Sequence, residues 1–311
     1  MENRTSRFPL AHTYSIVARD SESGLLGVAV QSHWFSVGSL VTWAEAGVGV
    51  VATQSMVEVT YGPLGLDLMR AGKSSRQALD ALLAVDEGAA LRQVAMIDAE
   101  GSVATHTGER CIQAAGHVCG SGFSVQANMM LNESVWPAMA YAYQNQQGSF
   151  ADRMVAALIA AQDSGGDIRG KQSAAILIVK GNSSGKPWED RVLELRIEDH
   201  SEPVMELKRL VSLHQAYGYM NQGDTYMSKG KTEEAMQAYH SAALLAPQIT
   251  EIPFWQAVTL AEAGKVEDAL LIFKKVFQDD LNWLELLKRL PASGLFQVAE
   301  DVKQRVYRIL E

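Results

Sequence analysis

The sequence predicts an α+β protein: two mostly antiparallel sheets packed face to face, helices outside each sheet, and a smaller all-helical unit after them. Three observations lead there. Strand-like and helix-like stretches come in blocks: strands, two helices, strands, two helices, strands, with hairpin-type connections within the strand blocks. Several strands are apolar on both faces, so each sheet needs cover on both sides, as in a four-layer αββα sandwich. Past residue 211 the strand pattern stops and an internal period of 34 residues takes over.

Residues 1–12, MENRTSRFPLAH, are polar, carry Pro9 and are expected to form an N-terminal arm. They hold two arginines and no apolar run, which does not fit a secretory signal. Thr13–Arg19, a turn over Asp20–Gly24 and Leu25–Ser32 read as a β-hairpin with a buried first strand. Val41–Ala46 is a short strand or turn, and Gly47–Ser55 is a buried strand. Pro63 suits the first turn of a helix whose apolar face is Leu64, Leu66, Leu68 and Met69, ending at Gly72. Ser74 is an N-cap for a second helix that buries Ala78, Leu79, Leu82 and Leu83.

Arg92–Asp98, Ser102–Thr107, Cys111–His117 and Gly122–Asn128 read as the next strands. Asn132–Gln146 and Ser149–Asp163 follow as helices. The glycine-rich turn of residues 165–172 feeds a buried strand to Val179, and Arg191–Glu198 is the last strand. The sandwich is therefore expected over residues 13–200, with a connector over 201–211 and the helical unit over 212–311.

In that unit Gly223 and Ala257, Gly230 and Gly264, Ala235 and Ala269, and Tyr239 and Phe273 are each 34 apart. A glycine between paired helices, small residues at a crossing and an aromatic filling the gap resemble the tetratricopeptide repeat. Leu281–Leu290 and Leu295–Leu310 are expected as flanking helices. Two such units offer a concave surface for a peptide or partner protein. Burial of a helical layer against a second copy makes a homo-oligomer a further expectation.

Hydrophobic residues make up 47% and charged residues 20% of the chain, enough for a substantial core in a soluble protein. The net charge of −9 is spread along the chain with no Lys/Arg cluster, which argues against a nucleic-acid partner. No run of about 18 apolar residues is present to span a membrane, so a cytoplasmic protein is expected. Cys111 and Cys119 cannot build a metal cage and are expected to be buried thiols. No HExxH, GxSxG, P-loop or CxxC motif occurs, and neither metal nor cofactor is implied.

The segments TYSIVARD, ESGLLGVAVQS, AGVGVVATQ, YGPLGLDLMRAG, ATHTG, GFSVQAN and GGDIRGKQSAAILIV resemble, in order, the domain-of-unknown-function family 1028, from Thr13 to about Leu210. The resemblance implies a fold similar to that of N-terminal nucleophile (Ntn) hydrolases and, with it, amide-bond hydrolysis on a small amide or peptide-like substrate. It assigns no substrate. In that class the hydroxyl of the first residue attacks an amide carbonyl and its own α-amine takes the proton. Thr13 sits where that nucleophile would be. Twelve residues precede it, so the His12–Thr13 bond would have to be cut. Ser15 shares its face and is the weaker nucleophile candidate.

The other candidates cluster where strands begin or end. Asn128 shares a face with Gln126 and is an oxyanion or substrate-amide partner. Asp167 and Arg169 either pair with each other or reach the mouth of the sandwich. There Arg169 would bind a substrate carboxylate, and Asp167 would bind an amine or orient a base. Gln172 and Ser173 open a buried strand. Ser32 and His33, with Gln31 before them, close the first hairpin, Thr53 and Gln54 end an apolar run, and His106 stands near a strand end. The alternative is a non-catalytic Ntn-fold module that binds a ligand or serves assembly.

Overall fold

The computed structural model describes residues 10–11 and 13–310. Its first elements are β1 (Leu10–Ala11), β2 (Thr13–Arg19), β3 (Leu26–Ser32), α1 (Gly38–Val41), β4 (Thr42–Glu45), β5 (Gly49–Met56), α2 (Tyr61–Arg70) and α3 (Ser75–Leu83). Then come β6 (Arg92–Asp98), β7 (Val103–Thr107), β8 (Gly116–Gly120), β9 (Phe123–Ala127), α4 (Val135–Asn145), α5 (Phe150–Asp163), β10 (Ser173–Val179), α6 (Pro187–Asp190) and β11 (Arg191–Ile197). The helix α7 (Pro203–Ser228) follows.

Among the described residues the strands form two antiparallel sheets. One has the order β1-β5-β6-β7, with β4 also on β5; the other runs β11-β10-β3-β2-β9-β8. Period-2 alternation decides which side chains meet. Val17, Val28, Val30, Ala175, Val50, Ala52, Ala95 and Ile97 form one cluster between the sheets. On the far side of the second sheet, Tyr14, Ile16, Ala18, Ala29 and Ile176 pack on Met139, Tyr143, Met154 and Leu158 of α4 and α5. On the far side of the first, Val51, Val94 and Met96 pack on Leu66, Met69 and Leu79 of α2 and α3.

Helix starts follow capping rules. Ser74 caps α3 and Ser149 caps α5, each in a reciprocal box with the residue three ahead, Gln77 and Asp152. The buried face of α2 departs from expectation: Leu64 is exposed, and Gly62 and Gly65 lie inward instead. A Cβ on Gly62 would come within 2.4 Å of the Trp43 ring, so absence of a side chain sets the helix–sheet distance.

Four further expectations change. Leu10–Ala11 is not a loose arm but a strand paired with Met56 and Ser55 of β5; the remainder of the arm, residues 1–9 and His12, lies outside the described residues. Cys111–His117 is not a strand: the carbonyls of Ile112 and Ala114 accept from the Met129 and Met130 amides, and pairing with β9 begins only at Gly116. Cys111 is buried, whereas Cys119 is exposed on the edge strand β8. Residues 201–211, read as a connector helix, are the start of a longer one: α7 begins at Pro203 and ends at Ser228.

The chain divides into two compact units, residues 1–211 and 212–311. The second is helical: the remainder of α7, then α8 (Thr232–Leu245), α9 (Glu251–Glu262), α10 (Val266–Asp279), α11 (Asn282–Arg289) and α12 (Glu300–Tyr307). Gly230 and Gly264 end helices in the left-handed region, at φ +71° and +78°. Ala235, Ala269, Tyr239 and Phe273 are all fully buried. The final helix starts at Glu300 rather than near Leu295, after a 3₁₀ turn over Leu290–Ser293 and a left-handed Gly294. No helix of the described residues is long and apolar enough to cross a membrane.

Candidate functional site

Thr13 opens β2, near the middle of the second sheet, and is fully buried. It lies opposite Ser32 of β3, which lies opposite Ser173 of β10. On its other flank β9 ends at Ala127, opposite Tyr14, and Asn128 follows. The Asn128 backbone N–H donates to the Thr13 carbonyl at 3.1 Å, and its Nδ2 lies 3.4 Å from the same oxygen. From the facing sheet, Gln54 Nε2 donates to it at 3.2 Å. Donors from both sheets thus converge on the Thr13 carbonyl.

Behind Thr13 is a buried layer of amides and hydroxyls. Strand register builds it: Gln54, Gln93 and Thr107 align across β5, β6 and β7, and Ser15, Gln126 and His117 align across β2, β9 and β8. The two rows face each other. Ser15 Oγ donates to Gln54 Oε1 at 2.6 Å, and Thr107 Oγ1 meets His117 Nδ1 at 2.9 Å. Gln93 is the centre. Its Oε1 accepts from Gln54 Nε2 at 2.6 Å and Asn128 Nδ2 at 2.9 Å. Its Nε2 donates to Thr107 Oγ1 and to the Ala127 carbonyl, both at 2.9 Å. Gln126 Nε2 donates to Ser15 Oγ at 2.5 Å and its Oε1 accepts from Ser124 at 2.9 Å; Thr105 in turn donates to Ser124 at 2.8 Å. A carboxamide brings donors and an acceptor without charge, so such a layer can be buried where carboxylates and ammonium groups could not.

Two backbone outliers mark the same place. Ser55 follows Gln54 and Met129 follows Asn128, and both non-glycine residues take left-handed conformations, φ +76° and +58°. Such conformations cost about 1–3 kcal/mol each and persist where surrounding contacts impose them. Here one lies within β5 and the other just beyond β9, each immediately after an amide that reaches Thr13.

The remaining candidates fall elsewhere. Asp167 and Arg169 pair with each other: Arg169 Nη2 donates to Oδ2 at 2.7 Å and Nε to Oδ1 at 3.0 Å. Asp167 also accepts the His33 backbone N–H at 3.2 Å, so it ties the glycine-rich turn to the end of β3. The His33 residue itself is exposed. Ser173 Oγ accepts the Val37 N–H at 3.1 Å and donates to the Trp34 carbonyl, holding the loop after β3. Gln172 reaches Asp199 at 3.1 Å. Thr53 points away from Gln54, to the Glu58 carbonyl at 3.1 Å. His106 is on the outer face of β7, with Nε2 2.8 Å from the Ala89 carbonyl. The structure therefore gathers Thr13, Asn128 and Gln54, aligns Ser32 and Ser173 beside them, and leaves Thr53, His106 and Gln172 outside.

Sequence reasoning missed Gln93. Its signal was alternation: in RQVAMID it shares a face with Ala95 and Ile97, a polar side chain on the inner face of a buried strand. His117, at the solvent end of the layer, has its imidazole pKa held below the usual value by burial, then by the charges of His106 and Arg76.

Gln31 stands apart. It is fully buried between Tyr14 and Ala174, and neither its Nε2 nor its Oε1 has a partner among the described residues. Tyr14 alongside donates its hydroxyl to Gln162 Oε1 at 3.1 Å, and burial, with the charges of Asp167, Asp163 and Glu202, pushes its pKa well above the ordinary phenol value. An unpaired buried amide costs about 1–3 kcal/mol. Gln31→Leu is expected to raise the urea midpoint by the equivalent of about 1–2 kcal/mol; a lowered midpoint would mean that bound water pairs the amide.

Among the described residues no group of three or more His, Cys, Asp or Glu is placed to hold a metal ion. A model for a family of unknown function, DUF1028, matches residues 13–207. Protein SPO2555 from Silicibacter pomeroyi, a solved structure assigned to the same family, is 30% identical, with a TM-score of 0.58; the match covers 65% of this chain and 88% of that one. No curated protein matches the chain.

Proposed function

This chain belongs to the DUF1028 family, and on that premise we propose that its first unit is an Ntn-type amidohydrolase acting on an amide or peptide-like substrate. The observation carrying this reading is the position of Thr13: head of a central strand, on the face between the sheets, with amide donors around it. Cleavage of His12–Thr13 frees an α-amine whose ordinary pKa, about 7.7–8.0, suits it to accept a proton near neutrality. Thr13 Oγ1 gives its proton to that amine and attacks the substrate carbonyl carbon. Asn128 Nδ2 is the side-chain donor for the resulting oxyanion, turning to it the N–H that makes the long 3.4 Å contact with the Thr13 carbonyl while it keeps its bond to Gln93. Collapse returns the proton to the leaving amine and leaves an ester on Thr13, which water hydrolyses by the same steps. The Asp167–Arg169 pair shapes the rim.

Intact mass and N-terminal sequencing test this. Mature protein is expected to begin at Thr13, and Thr13→Ala is expected to retain all preceding residues. Persistence of Met1 in the mature wild-type protein removes the mechanism. That result would favour the second reading, a non-catalytic ligand-binding or assembly module, for which the pairing of Leu10–Ala11 with β5 speaks.

For the second unit we propose a tetratricopeptide-like docking module. A Cβ on Gly223 would lie 2.4 Å from the Tyr239 ring, the small-residue crossing such a repeat requires. Gly223→Leu is expected to destabilise this unit by about 2–3 kcal/mol through overpacking, seen as an early separate transition in calorimetry. An unchanged profile counts against the reading.

A further inference from the structure

We infer that the edge of β5 at Ser55–Met56 is the binding site for an extended peptide, which adds to the first sheet as an antiparallel strand and presents its carbonyl to Thr13. The inference rests on the hydrolase reading and narrows its substrate from amides in general to peptides with at least three residues on the acyl side of the cleaved bond.

The argument starts from β1. Along one edge of β5, β4 pairs with Gly49 to Ala52, while Leu10 and Ala11 pair with Met56 and Ser55. A single residue, His12, separates this pairing from Thr13. The bond that must break to free Thr13 is therefore one residue beyond a strand that uses the β5 edge. In that reaction Leu10, Ala11 and His12 are the acyl side, and β5 pairs with the first two of them. Strand pairing acts through backbone groups, so the edge vacated by the leader can accept another peptide in the same direction and register.

The edge is built to keep its shape when empty. Ser55 is buried and held in the left-handed region at φ +76°. The Met56 carbonyl accepts from Arg92 Nη1 at 2.7 Å, and Arg92 is fixed by Asp86, with Nε 2.8 Å from Oδ2. Gln54, the residue before Ser55, donates to the Thr13 carbonyl. One short segment thus carries the pairing edge, the left-handed residue and an amide that reaches Thr13. Such preorganisation lowers the ordering cost of peptide binding.

The test uses the full chain with residues 9–12 replaced (Pro9→Ile, Leu10→Glu, Ala11→Gly, His12→Arg). Factor Xa then cuts before Thr13 whether or not the protein can cut itself. The probe is acetyl-Phe-Pro-Leu-Ala-His, added to the cut, leader-free protein. Saturable amide shifts at Ser55–Met56 are expected, with at least tenfold weaker binding of acetyl-Phe-Pro-Leu-Pro-His, which lacks one backbone donor. No shift at Ser55–Met56, or equal binding of the two peptides, overturns the proposal. If the cut protein is not folded by circular dichroism, the intact chain gives a second reading. There Ala11→Pro is expected to speed hydrogen exchange at Ser55–Met56 at least tenfold; unchanged exchange overturns the strand site. Intact mass of the wild type separates the two ideas. Peptide binding without self-cleavage keeps the strand site and removes the hydrolase. Self-cleavage without peptide binding does the reverse.

Discussion

Replacing Gln93 with leucine is expected to destabilise the first unit by about 3–4 kcal/mol, near the upper end for single substitutions. The size follows from what Gln93 joins. Its Oε1 serves Gln54 and Asn128, and its Nε2 serves Thr107 and the Ala127 carbonyl. Leucine matches its volume and satisfies none of these groups, and each buried group left short costs about 1–3 kcal/mol. The loss is not a sum over all four, since Gln54 and Asn128 keep the Thr13 carbonyl and Thr107 keeps His117. Gln93→Glu sharpens the test. A carboxyl buried there has its pKa raised above the unfolded value of about 4.3, so its best stability is at low pH, where it stays protonated, and is lost as pH rises. Urea unfolding at pH 5 and pH 8 should find the Glu variant closer to wild type at pH 5. Equal deficits at both would mean that water enters the layer.

The second large effect is expected at Asp86. Its partner Arg92 is 5% exposed and Asp86 is 14% exposed. Asp86 also accepts from the Tyr61 hydroxyl at 3.0 Å and the Gly88 N–H at 2.7 Å. Asp86→Ala strands a buried guanidinium and should cost about 3–5 kcal/mol. Hydrogen bonding from Arg92 holds the Asp86 carboxyl below its usual pKa. A carboxyl depressed in the folded state adds stability that is present above its unfolded pKa, about 3.9, and lost as pH falls through the folded value. The wild type should therefore weaken below about pH 4 more steeply than Asp86→Asn. Parallel acid-unfolding curves for the two would refute the assignment.

Much of the architecture was legible because burial patterns are local. Arg92–Asp98 was readable as a strand to the residue, since both of its faces are buried. Ser74 was readable as a cap, because a serine before a helical stripe satisfies backbone donors within its own turn. Failures came where tertiary contacts overrule local pattern. Cys111–His117 carries strand-like residues, yet its carbonyls are taken by the loop at Met129–Met130. Leu64 looks like a core residue, but the core side of α2 belongs to two glycines that admit Trp43 and Met96. The site was half legible. Thr13 opens β2, Gln54 ends the apolar run of β5 and Asn128 follows β9, so all three could be picked out. Gln93 lies inside β6, and only the register that sets it beside Gln54 and Thr107 reveals its role. Asp167 and Arg169 illustrate the opposite case: two charges two apart in a turn satisfied each other.

The amide layer behind Thr13 also determines what a pH profile can mean. Gln54, Gln93, Gln126 and Asn128 cannot titrate, and neither can the hydroxyls of Ser15, Ser124 and Thr107 in the range where proteins are studied. The groups that orient Thr13 are thus the same at pH 6 and pH 9, and added salt has no charge there to screen. The freed amine of Thr13 stands at one end of this layer and the imidazole of His117 at the other, where the layer meets solvent. His117 reaches Gln54 and Asn128 by way of Thr107 and Gln93, so a profile that survives Gln93→Leu does not come from His117.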